Sequence, residues 1–233
     1  MAFIEVKNLK KIYGIKDTCI YALDDVSFSL ERKELVVILG ASGAGKSTLL
    51  NLLGGMDYAS SGNYYVNGID VTKMKDKELA LFRRDHVGFV FQFYNLMPNL
   101  TALENVKLSI THSKDYLDPK EALALVGLEE RLNNFPSNLS GGEQQRVSIA
   151  RAIVKKPDIL LCDEPTGALD SKTGKSILKL LKSISDSGNQ SVIIVTHNAN
   201  IALVANRVIH LSDGKIVKNE VNQKPLDIEE IKW

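Results

Sequence analysis

Residues 40–48 read Gly40-Ala41-Ser42-Gly43-Ala44-Gly45-Lys46-Ser47-Thr48, the full pattern G-x-x-x-x-G-K-[S/T]. The apolar run Leu35-Val36-Val37-Ile38-Leu39 precedes it, and Leu49-Leu50-Asn51-Leu52-Leu53 follows with helical spacing. A strand feeding a glycine-rich turn that opens a helix commits the chain to an α/β sheet. The glycines let the backbone curl until successive N–H groups point into one hollow, where the helix N-terminus adds partial positive charge. Lys46 is placed to reach the β- and γ-phosphates, and Ser47 to set its hydroxyl on Mg²⁺. A Gly/Ser turn that merely carries a lysine lacks these flanks. The chain is expected to bind a nucleoside triphosphate.

With 233 residues, 44% of them hydrophobic, the chain can bury a large core without staples. Basic and acidic residues number 29 and 28, for a net charge of +1. That balance argues against a nucleic-acid partner. The N-terminus, Met1-Ala2-Phe3-Ile4-Glu5-Val6-Lys7, has no apolar secretory core. The longest apolar runs, Ile159–Cys162 and Val192–Val195, are strand-length, far below the ~18–20 residues that cross a bilayer. Any membrane role is therefore expected to come through a partner, with the chain on the cytoplasmic side. Cys19 and Cys162 form no disulfide or metal pattern, and Cys162 reads as a small buried hydrophobe.

The first third reads mainly as strands: Ile4–Val6, Ala22–Leu30, and a hairpin over Gly62–Thr72 around Asn67-Gly68. A helix is expected over Lys75–Arg84 and a strand over Val87–Phe91. From Thr101 to about Phe135 the pattern turns helical, with Thr101 and Glu104 at capping-box spacing and Pro119 suited to a first turn. Alternation then resumes: a strand at Ile159–Asp163, a helix over Thr173–Ser185, a strand at Val192–Thr196, a helix near Ile201–Asn206. Such alternation implies a mostly parallel sheet with crossover helices. A last hairpin pairs Val208–Leu211 with Lys215–Val217, and the tail Asn222–Trp233 is polar, with a short helix expected.

A second anion site is suggested by Leu139-Ser140-Gly141-Gly142-Glu143-Gln144-Gln145-Arg146 ahead of a helical run. Alone, Ser140 and Gly142 read equally well as an ordinary N-cap. The strand Ile159–Cys162 ends in Asp163-Glu164, at the carboxyl edge where open α/β sheets place ligands. Asp163 suits Mg²⁺ and Glu164 suits activation of an attacking water. Thr196-His197 closes a further apolar strand, and a histidine there can sense a γ-phosphate.

In this order, with Gln92 after the strand Val87–Phe91 and the loop Ala168-Leu169-Asp170, these residues resemble the ATP-binding cassette (ABC) ATPases over essentially the whole chain. The resemblance implies an α/β P-loop NTPase fold: a RecA-like core, an N-terminal antiparallel β subdomain, and a helical subdomain inserted at about 101–150 within one domain spanning 1–233. It implies ATP and Mg²⁺ as ligands. Ser47, Gln92 and Asp163 would lie at the metal, and Lys46, Gln92, Glu164 and His197 at the reacting phosphate. Tyr13, at the end of the first strand, lies where this family stacks a ring on adenine. It also implies that two copies pair head to tail on ATP, with Ser140, Gly141 and Gly142 completing the γ-phosphate shell in trans. The signature carries Glu143 where many members have glutamine.

Leu53-Gly54-Gly55-Met56-Asp57, the stretch Leu81 to Val106 and Asp163 to Ser171 look like the macrolide-exporter and lipoprotein-releasing (MacB/LolD-like) group. That likeness implies a separate transmembrane permease with a large extracytoplasmic domain, reaching any adaptor outside the membrane through it. The cluster Phe91, Phe93, Tyr94, Leu96, Met97, Pro98 is where such a partner is expected to dock, through Tyr94–Pro98, while Phe91 and Phe89 read as core. Two other functions fit the same motifs: regulation of cell-envelope enzymes through a non-transporting membrane protein, and a soluble non-transport role.

Overall fold

The computed structural model describes residues 2–14, 18–111, 115–187 and 190–231. Strands β3 (Leu35–Leu39), β7 (Ile159–Asp163) and β8 (Ser191–Thr196) are runs of mostly branched apolar residues. Such strands need cover on both faces. They find it in a six-stranded sheet of order β10-β9-β3-β8-β7-β6, completed by β6 (Val87–Val90), β9 (Arg207–Ser212) and β10 (Lys215–Val221). β3 runs parallel between β8 and β9, and β7 parallel between β8 and β6, while β10 pairs antiparallel with β9.

Alternation sends successive residues to opposite cores. Leu35 and Val37 of β3, Leu160 and Cys162 of β7 and Val192 and Ile194 of β8 face the helices α5 (Gly141–Ile153) and α6 (Ser171–Ser187). Val36, Ile38, Leu161, Ile193 and Val195 face a second core shared with α1 (Lys46–Leu53), α2 (Asp76–His86) and a four-stranded antiparallel sheet. That sheet has the order β2-β1-β4-β5, from β1 (Ile4–Tyr13), β2 (Ile20–Leu30), β4 (Ser61–Val66) and β5 (Ile69–Asp70). Asn67 and Gly68 join β4 to β5 with φ of 50° and 77°, the left-handed pair that a two-residue type I′ turn requires.

Among the described residues, three α-helices lie between β6 and β7. Thr101 and Glu104 form the expected capping box on α3 (Ala102–Lys107), and Pro119 opens α4 (Pro119–Leu125). The third, α5, runs on to Ile153, past the expected lobe boundary, and its apolar face joins the sheet in one continuous core.

Two expectations need correction. Phe91 is not core: β6 ends at Val90, and Phe91 is half-buried, stacked on Phe89 at 5.6 Å, with both rings lining a surface groove. The helix near Ile201–Asn206 is shorter and earlier, α7 (Ala199–Ala202), capped by Asn198. Asn206 is instead committed to β3, where its Oδ1 accepts from Leu35 N at 2.9 Å and its N–H donates to Leu35 O at 2.8 Å. The tail forms one 3-10 turn, Ile228–Glu230, that tucks Ile228 and Ile231 into the core; Lys232 and Trp233 lie outside the described residues. Among the described residues no helix is long and apolar enough to cross a membrane.

Candidate active site at the carboxyl edge of the parallel sheet

Parallel pairing brings the ends of β3, β6, β7, β8 and β9 to one edge. Leu39 is in register with Thr196 and His210, and Asp163 with Val195. There the chain forms an open cleft of about 700 Å³, lined by Ser42, Gly43, Gly45 to Thr48, Gln92, Asp163, Glu164 and His197. Gly45, with φ of 97°, stands where a Cβ would lie 2.3 Å from the carbonyl oxygen of Ala22, so only glycine fits. Lys46 is buried, and its ammonium donates to the carbonyls of Gly40 at 2.8 Å and Ala41 at 2.9 Å. Ala44 is buried and does not line the cleft, and its carbonyl accepts from Gly214 N at 3.1 Å.

Ser47 Oγ lies 3.3 Å from Asp163 Oδ2, at the start of α1 and the end of β7. Burial pushes the Asp163 carboxyl above its usual range; the adjacent Glu164 adds to this, while the Ser47 hydroxyl and Lys46 oppose it. The donor set is oxygen only, and the described residues hold no cluster of three acidic, histidine or cysteine ligands. A hydroxyl and one carboxylate suit Mg²⁺, which binds few protein groups and shares its shell with substrate phosphates.

Glu164 has φ of 45°, a left-handed conformation that costs a non-glycine residue of order 1–3 kcal/mol. Its carboxylate is held in return by three donors: Thr196 Oγ1 at 2.8 Å, His197 N at 2.9 Å and His197 Nδ1 at 2.7 Å. A carboxylate only accepts, so Nδ1 carries a proton and donates to Glu164, and Nε2 takes no part in this bond. The Gln92 side chain rests beside Gly167 and faces the same cleft.

Ser140, Gly141 and Gly142 are absent from the residues that line the cleft. Ser140 is exposed and caps α5. It forms a full capping box in which Glu143 Oε2 accepts from Ser140 N at 2.8 Å and from Ser140 Oγ at 2.9 Å. These bonds, led by the backbone one and joined by Arg131 at 3.1 Å, hold the Glu143 carboxyl below its usual range. Behind the cap, a Cβ on Gly142 would lie 2.3 Å from Thr173 Cγ2, and one on Gly141 would lie 2.8 Å from the Tyr94 hydroxyl.

A sequence profile of the ABC transporter family matches residues 23–167. The chain belongs to the ABC transporter family. It is 44% identical over 226 residues to the uncharacterized ABC transporter ATP-binding protein MJ0796 of Methanocaldococcus jannaschii, covering 93% of this chain and 96% of that protein. Against the macrolide export ATP-binding/permease protein MacB of Burkholderia pseudomallei it is 48% identical over 214 residues, 90% of this chain. That match spans only 32% of MacB, so the chain corresponds to about a third of that relative's length. A dimeric structure of MJ0796 in a post-hydrolysis state, bound to ADP and Pi, superposes with a TM-score of 0.85 at 42% identity, covering 94% of this chain and 98% of that one. The cassette is thus an ATP-hydrolysing ABC ATPase in family and in fold.

Within the cassette, Tyr13 is half-exposed, and its hydroxyl donates to Asp57 Oδ2 at 2.7 Å while the Lys11 ammonium sits 4.7 Å from its ring centroid. It does not line the cleft; Ile20, Tyr21 and Ala22 of the neighbouring strand do, as do Asp213 and Gly214. Sequence reasoning missed these five. The strand pairing that sets Tyr13 opposite Ile20 was the available signal for the first group. The second group reads in sequence only as a hairpin turn.

Proposed function

We infer that two copies of the cassette close head to tail on ATP, hydrolyse it, and thereby drive a separate membrane permease of the MacB/LolD-like export type. The observation that carries this reading is the split of the motifs. One cleft gathers the phosphate loop, both strand-end carboxylates and His197, while Ser140 caps a helix on a different, exposed surface. A second copy brings that surface to the first copy's nucleotide. The dimeric cassette with ADP and Pi is consistent with this.

In the closed pair, Lys46 and the loop N–H groups hold the β- and γ-phosphates. Ser47 and Asp163, with Gln92, would hold Mg²⁺, which when bound offsets phosphate charge. Glu164, fixed by Thr196 and His197, takes a proton from water as that water attacks the γ-phosphorus and the bond to the ADP oxygen breaks. His197 orients Glu164 through Nδ1 and leaves Nε2 for the phosphate side. Ser140 and the amides of Gly141 and Gly142 close the shell from the opposite copy, each charge-assisted bond being worth about 1.5–3 kcal/mol. Tyr13 offers the adenine platform, braced by Asp57. The permease docks near Tyr94–Pro98, where Phe93 is 75% and Met97 54% exposed, and it keeps the cassette at the cytoplasmic membrane face.

Glu164→Gln is expected to retain ATP binding, slow turnover by ~10²–10⁴ and trap a dimer visible by size exclusion with ATP. Unchanged turnover removes Glu164 from that role. Ser140→Arg in one copy of a mixed pair should silence the site of the opposing copy, and Met97→Asp should abolish co-purification with a detergent-solubilised membrane protein.

A further inference from the structure

Three polar residues follow Glu143 on α5, and two of them hold their own surroundings. Gln144 Nε2 donates to Pro136 O at 3.1 Å and Leu139 O at 3.0 Å. Arg146 donates to Val126 O at 2.9 Å and Ser176 Oγ at 2.6 Å. Gln145, between them, reaches the chain beside Glu164. It is fully buried, and its Nε2 donates to Pro165 O at 2.8 Å. Its Oε1 is also buried and finds no donor among the described residues. A carbonyl oxygen only accepts, so the amide cannot turn over and exchange the two ends. A methionine of similar length would remove the orphan oxygen but leave Pro165 O without its donor, so stability is nearly indifferent to the exchange. What the glutamine supplies is a fixed direction for the Pro165 carbonyl.

Pro165 is the second residue of a turn closed by Gly167 N, which donates to Glu164 O at 3.0 Å. Thr166 does not take the positive φ that a type II turn needs at its third residue. Switching the turn type would rotate the peptide between Pro165 and Thr166, whose oxygen Gln145 holds. Glu164 opens this turn with φ of 45°, before a proline that disfavours the ordinary helical region for its predecessor. Glu164 N donates to Val195 O at 3.0 Å, and Thr196 and His197 hold the carboxylate. If its central peptide could rotate, the turn would let that strained backbone relax and carry the carboxylate out of place.

We propose that Gln145 is a positioning residue for ATP hydrolysis: by fixing the Pro165 carbonyl it holds Glu164 in the left-handed conformation that keeps its carboxylate at the cleft. Gln145 does not line the cleft, so it acts through Glu164 alone. The proposal rests on the reading of Glu164 as the base. Gln145 sits five residues after Ser140, the cap of α5, so this bond also ties that capped end to the turn beside Glu164.

In Gln145→Met, kcat for ATP turnover by the whole cassette should fall ~10–10²-fold, the scale for misplacing a catalytic group by about 1 Å. KM should stay within about twofold of the parent, because no contact to the nucleotide is lost. Tm should stay within about 3 °C, since the two unpaired oxygens offset each other. Gln145→Leu serves the same purpose should the methionine variant fail to fold. The double variant Gln145→Met with Glu164→Gln, followed in single-turnover assays, isolates the route. A residue that acts through Glu164 costs nothing further once that carboxylate is gone. Parent-like kcat in Gln145→Met, a loss of kcat that tracks Tm across both variants, or a further loss of about tenfold in the double variant overturns the proposal. Slow Glu164→Gln beside parent-like Gln145→Met sinks the positioning role and leaves the base in place. Parent-like Glu164→Gln sinks the base, and the positioning role with it.

Discussion

In the proposed head-to-tail pair, Glu143 occupies the point where local helix chemistry and the inter-copy phosphate would compete. It takes the Ser140 hydroxyl proton at 2.9 Å, the same proton that a γ-phosphate from the opposing copy would claim. A carboxylate and a phosphate oxygen sharing one hydroxyl sit roughly 5 Å apart, and at an effective dielectric of ~20 that repulsion is about 3 kcal/mol per site. Arg131, 3.1 Å from Glu143 Oε1, cancels part of it, leaving on the order of 1–2 kcal/mol. Glu143→Gln removes the charge and keeps an acceptor for Ser140 N–H, so the capping box survives. The variant loses the Arg131 pair and the acid near the helix N-terminus, together about 1–2 kcal/mol, which lowers Tm by ~2–8 °C. It should nevertheless tighten the ATP-dependent dimer at least tenfold, read by sedimentation velocity with Glu164→Gln added to block turnover. The Glu143 carboxyl is held below its usual value of 4.5, so its stabilisation is present above that pH and fades as pH falls through the lowered value. The Tm gap between parent and variant should therefore narrow steadily as pH falls below 4.5. An ATP dimer that weakens along with Tm would refute the competition.

Gly142→Ala should cost about 1–3 kcal/mol, because the new methyl lies 2.3 Å from Thr173 Cγ2 and Thr173 is tethered to Asp170 at 2.6 Å; adding Thr173→Ser, which deletes that methyl but keeps the tether, should restore most of the lost Tm. Asp163→Asn removes a charge that burial disfavours, so Tm at neutral pH should rise by about 2–4 °C while Mg²⁺-dependent ATP hydrolysis is lost; a lower Tm contradicts the burial argument. Asp158 raises the His86 pKa above 6.5, so the pair stabilises fully below about pH 6.5 and is lost as pH rises through the raised value. His86→Gln should then cost on the order of 0.5 kcal/mol at pH 6 and nothing at pH 9, measured by urea titration.

The parallel sheet was legible because β3, β7 and β8 carry both the apolar runs that demand burial and the motif residues at their ends. Placing Gly40, Asp163 and His197 on one edge required only that successive crossovers keep one hand. Phe91 was misplaced for a corresponding reason: hydrophobicity says that a ring avoids water, but not that a strand stops one residue earlier and turns it into a groove. Asp213 and Gly214 were illegible as site residues, since nothing local to a hairpin tip records that Gly214 N–H reaches Ala44 across the fold. Glu143 could be seen in sequence only as a departure from the commoner glutamine. Its meaning, a capping carboxylate tied to Arg131, depends on a loop twelve residues upstream.

The loop from Gln92 to Pro98 owes its position to side chains rather than to a sheet ladder. Tyr94 and Asn95 are both left-handed, with φ of 56° and 51°, and their carbonyls are clamped by Arg151. Asn105, fully buried, donates to Met97 O and Leu100 O and accepts from Met97 N. The Tyr94 hydroxyl meanwhile abuts Gly141. Gly141 and Arg151 stand about 15 Å apart along α5, so the loop is fastened near both ends of one rigid helix. Any load applied at Phe93 or Met97 therefore reaches the Ser140-capped end of α5 without passing through the nucleotide cleft. Gln92, at the other end of the same loop, lines that cleft. In the proposed transporter, a partner bound at Phe93 or Met97 and a nucleotide in the cleft would act on one element from two sides, each biasing the other only to the extent that α5 moves as a unit.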